Sequence, residues 1–143
     1  RRGVPLDHVA ACHGWVDTDR GRGLVFDRIG YEPGASAASV NLERAIATRL
    51  IRESEIRAAL LELRRYLQRH RILWSDENPK NICVTTHPSL RFVIVDGLGG
   101  RQALNLKYRV LKSVPILARL YTSLKVTRMF QRVDTLLERA STA

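Results

Sequence analysis

Two short apolar runs near the start of the chain, HVAACHGWV and GLVFDRI, are separated by DTDRGRG. The Asp and Gly content of that connection favours a tight polar turn, so the pattern predicts a β hairpin over residues 8–29. The next stretch, GYEPGASAASV from Gly30 to Val40, is rich in Gly, Ser and Ala, contains Pro33 and reads as a loop within one folded unit. From Asn41 the period changes. Asn41 is suited to cap a helix over Leu42–Ile51 with Leu42, Ile46 and Leu50 on one face, and Ser54 to cap a second helix whose stripe is Ile56, Leu60, Leu63 and Leu67. Beyond it, ICV and RFVIV are β-rich runs joined by TTHPSL, where Pro88 makes the joint a turn. Toward the end, Pro115 is expected to divide two helices. In the second of these, Val126, Met129, Phe130, Val133, Leu136, Leu137 and Ala140 share a face that argues for docking on the body, with a solvated basic side opposite.

This order of elements predicts an α+β fold, mostly helical, with an N-terminal hairpin and a second small hairpin. A chain of 143 residues with 45% hydrophobic content supports one core, so residues 1–143 are read as one unit made of 1–29, 30–100 and a basic tail, 101–143. Charge adds a preference for anions. Lys and Arg number 24 against 14 Asp and Glu, a net charge of +10. The tail carries Arg101, Lys107, Arg109, Lys112, Arg119, Lys125, Arg128 and Arg132 before its first acid, Asp134. Nucleic acid, an acidic protein or anionic lipid all fit that charge, and no helix-turn-helix, zinc-finger or stacking motif chooses among them. Cys12 and Cys83 form no CxxC pair, which fits a reducing, cytoplasmic setting. No run reaches the roughly 18 to 20 apolar residues of a transmembrane helix, and the first residues lack a signal-peptide core.

The candidate chemistry lies in ILWSDENPKNICV. Asp76 precedes Asn81 with Pro79 between them, and Asp96 follows the RFVIV run beside Gly97, Gly99 and Gly100. Taken alone, the first segment also fits an Asx-type turn. If the RFVIV hairpin brings Asp76, Asn81 and Asp96 to one edge, Asp96 supplies a hard oxygen for Mg²⁺ and Asn81 a neutral carbonyl oxygen. Asp76 is then left to orient or deprotonate a hydroxyl. Phosphoryl transfer uses this division of labour, because metal ions offset the charge on the phosphate while a separate acceptor positions the nucleophile. Trp74 and Cys83 read as packing residues, and His8, His13, His70 and His87 as structural or solvated, since none has ligand spacing.

Asp76, Pro79 and Asn81 in SDENPKN resemble the catalytic loop of kinase-like phosphotransferases, and Asp96-Gly97 in VIVDGLG resembles their metal-binding DFG element. Together with HGWVDTDRGRGLVFDRI and RRYLQRHRILWSDENPKNI, these stretches are similar to the YrbL-type proteins of the bacterial PhoP regulatory network, which share the kinase-like fold. The resemblance implies a kinase-like C-terminal lobe with Asp76 at the catalytic-base position and Asn81 and Asp96 at the metal positions. It places Phe26, Asp27, Arg28 and Ile29 in the hinge that passes the adenine ring, and Asn78 beside the transferred phosphate. Mg and ATP are the cofactors implied for a longer parent, and a nucleotide the implied partner. Trp74 and Ser75 replace the usual His and Arg, and Asn78 replaces the Lys that steadies the phosphate, which removes charge stabilisation at the reacting group. Nothing before GLVFDRI matches a glycine-rich loop or a strand Lys, so either an N-terminal part lies outside this chain, which is the favoured reading, or the protein is a remnant that binds something other than ATP. The chain alone is then expected to bind ATP weakly or not at all, to be inactive as a phosphotransferase, and to self-associate through residues 8–29. The alternative is a non-catalytic module that binds through its basic tail.

Overall fold

The computed structural model describes residues 5–32, 38–98 and 113–142. Pro33, Gly99, Gly100, Arg101, Lys107, Arg109 and Lys112 lie outside the described residues. Strands β1 (Cys12–Thr18) and β2 (Gly21–Phe26) form the predicted N-terminal hairpin, antiparallel and in register from Thr18↔Gly21 to Gly14↔Val25. Its turn needs Gly21, whose φ of 105° lies in the region that favours glycine. The first apolar run does not form a single strand, however. Residues 8–10 run beside the far edge of the second sheet, where Ala10 N donates to Ile94 O (3.0 Å) and Ile94 N to His8 O (2.9 Å). The remainder pairs with β2, and no second layer among the described residues covers the hairpin: Trp15 is 62% exposed, and Leu24 and Phe26 are also exposed.

The second sheet has the order β3 (Val40–Asn41), β4 (Ile82–Thr85) and β5 (Arg91–Ile94), all antiparallel. Helix α1 (Leu42–Ala47) starts at Asn41 as predicted, with Asn41 Oδ1 accepting from Arg44 N at 2.9 Å. It ends before Ile51. Arg49 adopts a φ of 51° and Leu50 N returns to Ala45 O at 2.9 Å, so the chain reverses, Leu50 faces solvent and Ile51 enters the core in its place. Helix α2 (Glu53–Arg69) begins one residue ahead of the predicted cap. Ser54 lies inside its first turn, and Arg52 is the N-cap, held by Glu55 Oε2 through its backbone N (3.2 Å) and Nε (3.1 Å).

Helix α3 (Pro115–Thr142) starts at Pro115, where a missing N–H costs nothing, and runs for 28 residues. The core joins Ile56, Leu60, Leu63 and Leu67 of α2 to Leu42 and Ile46 of α1, to Ile82, Val84, Phe92 and Ile94 of the sheet, and to Val126, Met129 and Val133 of α3. Burying each Leu or Ile of this set contributes about 1.5–3 kcal/mol. Phe130, Leu136, Leu137 and Ala140 pack at its margin, so the predicted docking face of α3 is the one used. The first turns of α3 differ: Ile116, Leu120 and Leu124 are exposed.

Candidate functional site

The segment between α2 and β4 is held open by polar and glycine chemistry. Trp74 is 1% exposed and bridges to Leu98, while Ser75 donates twice to Gly97 O, from its backbone N (2.9 Å) and its Oγ (2.6 Å). Trp74 and Ser75 thus fasten the Asp76 loop to the Asp96-Gly97 segment. Gly97 has a φ of 85°, and a Cβ there would lie 2.9 Å from Asp76 O and 3.1 Å from Trp74 Nε1. Only glycine lets the two segments approach this closely.

Asn78 caps a 3-10 turn, Pro79–Asn81, by accepting from Lys80 N at 3.0 Å. The turn directs Asn81 back across the loop, so that its Nδ2 donates to Asp76 Oδ2 at 2.9 Å. Asn81 O in turn accepts from Val95 N at 3.0 Å, next to Asp96, whose Oδ1 accepts from Gly97 N at 2.6 Å. Asp76 and Asn81 are therefore in direct contact, and Asp96 is tied to them through the backbone at the end of the β4–β5 hairpin. Both carboxylates are exposed. Because the Asn81 amide nitrogen is spent on Asp76, its Oδ1 is left as an acceptor, and Asp96 retains its second oxygen. The carboxamide oxygen of Asn81 and the free oxygen of Asp96 are donors of the type a hard, oxygen-preferring cation such as Mg²⁺ takes. Among the described residues no group of three or more His, Cys, Asp or Glu side chains could hold a metal ion.

The sequence reading missed Glu77. Its side chain is buried, at 4% residue exposure, and Lys125 Nζ of α3 contacts its Oε2 at 2.6 Å while also donating to Ser75 O at 3.0 Å. Arg132 Nη1 donates to Glu77 O at 2.6 Å, and Arg128 stands 4.0 Å from Oε1. Burial pushes the Glu77 carboxyl's pKa up, but the hydrogen bond from Lys125 and the charges of Lys125 and Arg132 outweigh it, leaving the net value below the ordinary one. The basic side of α3 is therefore not wholly solvated as expected: Lys125, Arg128 and Arg132 turn toward the loop. The one signal available in sequence was the spacing of those three cations on one helical face, in a stretch without acids.

The predicted hinge residues make other contacts. Phe26 pairs with Cys12, and Asp27 accepts from His13 Nε2 at 2.6 Å. That hydrogen bond holds the exposed Asp27 carboxyl below its ordinary pKa against a small opposing effect of burial. Ile29 O accepts from Ser39 Oγ at 2.7 Å.

Fold and site together define an α+β protein that presents an Asp–Asn pair and a neighbouring Asp at the end of a small hairpin, locked from behind by a C-terminal helix. The family model described as PhoP regulatory network protein YrbL matches residues 1–133, and the chain belongs to that family. No curated protein and no solved structure matches it. No helix among the described residues is long and apolar enough to cross a membrane.

Proposed function

We propose that this YrbL-family chain is a kinase-like regulatory protein whose Asp76, Asn81 and Asp96 form an inherited Mg²⁺–nucleotide site. The observation that carries the reading is the Asn81 Nδ2 to Asp76 Oδ2 bond at 2.9 Å, with Val95, the neighbour of Asp96, donating its backbone N–H to the carbonyl of the same asparagine at 3.0 Å. Asn81 and Asp96 would hold the ion, which would supply charge neutralisation at nucleotide phosphates. Asp76, oriented by Asn81, would accept a hydrogen bond from a hydroxyl or water. Asn78 spends its side-chain oxygen on Lys80 N and brings no positive charge, so the residues favour binding over turnover.

The tail-binding alternative is weakened because Glu77 engages three of the tail's cations. A melting-temperature series of the full-length protein with and without Mg·ATP tests the proposal. The expected result is a rise that requires both Mg²⁺ and nucleotide and disappears in Asp96→Ala. An unchanged melting temperature at saturating Mg·ATP would count against it.

A further inference from the structure

Beside the Asp76 loop, α1, the 3-10 turn and α3 line an open cleft of about 440 Å³. Its walls carry Lys80 from the turn and Arg132 and Arg139 from α3, with Asn78 and Thr135 between them and Glu43 of α1 as its acid. Three cations against one carboxylate leave a formal charge of +2 in a space within the range of small-ligand pockets, about 300–1,000 Å³. Glu43 accounts for only part of this charge, since it reaches Lys80 Nζ at 3.5 Å and no other cation of the cleft. Arg132 is fixed by its bond to Glu77 O, so its guanidinium is held in place before any ligand arrives. Arg139, in the last turn of α3, also offsets the carbonyl end of that helix, a role that requires no ligand.

We infer that this cleft binds a phosphate dianion, free or as the terminal group of a small phosphorylated molecule. Two guanidinium forks and an ammonium match the charge and the several acceptor oxygens of such a group. The site is separate from the proposed Mg²⁺ site and does not depend on it. Its floor is the Asn78–Pro79–Lys80 turn that aims Asn81, so an occupied cleft would brace the loop.

Titration calorimetry with inorganic phosphate and with phosphoserine, at low salt and without Mg²⁺, tests the inference. Wild-type protein is expected to bind at least one of the two, and the tighter ligand shows whether free phosphate or an ester is the natural form. Arg139→Gln and Lys80→Gln, both at exposed positions, should each weaken binding by about tenfold or more. Asp96→Ala and Arg119→Gln should leave it unchanged. Absence of binding by either probe in the wild type overturns the inference. So does equal affinity in Arg139→Gln and wild type, or loss in Asp96→Ala, which would assign the anion to the other site. Because Mg²⁺ is omitted, failure here and failure of the nucleotide proposal are read independently.

Discussion

The Asp76–Asn81 loop and the β1–β2 hairpin are both short, polar-tipped segments rich in charge, yet they are held in opposite ways. The loop is clasped from two sides: Ser75 and Gly97 pin its front, and Lys125 and Arg132 reach its back through a buried glutamate. The hairpin has its own ladder, an exposed His13–Asp27 hydrogen bond and an exposed Arg22–Asp17 ion pair, and its apolar side chains face solvent. A buried pair is costly to break because the remaining charge has lost its water, whereas an exposed pair surrenders little. The same types of side chain therefore position a site in one region and only decorate a surface in the other.

This contrast is sharpest at Lys125. Lys125→Ala removes the principal partner of a buried carboxylate and should cost about 3 kcal/mol, read by denaturant unfolding. A loss under about 1 kcal/mol would place the latch in the same class as the surface pairs. The latch also carries a pH signature. Because the folded-state pKa of Glu77 lies below its ordinary 4.5, its contribution is complete above that value and is lost as pH falls through the lower folded-state value. Glu77→Gln should reduce stability at neutral pH and flatten this part of the acid-unfolding profile; an acid profile parallel to wild type would contradict the assignment. Next in size, Gly97→Ala should cost about 2 kcal/mol or more, since it adds a Cβ at positive φ against Asp76 O, and should shift amide resonances of both segments. The smallest effect belongs to the hairpin. Trp15→Ser is expected to change stability by no more than about 0.5 kcal/mol while lowering self-association measured by sedimentation at high concentration. A loss comparable to that of Gly97→Ala would mean that Trp15 is packed rather than exposed.

Much of this division was legible before the structure. The stripe Ile56, Leu60, Leu63 and Leu67, the cap at Asn41 and the hairpin around Pro88 follow from local period and turn chemistry, and each is found. The Asp76–Asn81 contact was legible because type, order and intervening turn residues all lie in the sequence. Leu50 was misplaced because a left-handed Arg49 ended α1 early, a backbone reversal without the Gly that usually announces it. Ser54 lost the cap to Arg52 because Glu55 reaches back to that backbone N–H. Glu77 was invisible for a different reason. An acid in a polar loop reads as solvated, and its partner, Lys125, lies 48 residues later on another element.

The proposed role of Asn81 and Asp96 as cation ligands at a nucleotide site has a direct spectroscopic test. Paramagnetic broadening by Mn²⁺ in the presence of ATP, followed residue by residue in amide spectra, tests it most directly. Broadening centred on Asn81, Asp96 and Gly97, competed away by Mg²⁺ and abolished in Asp96→Ala, is the predicted result. Broadening centred elsewhere, or persisting unchanged in Asp96→Ala, would contradict it.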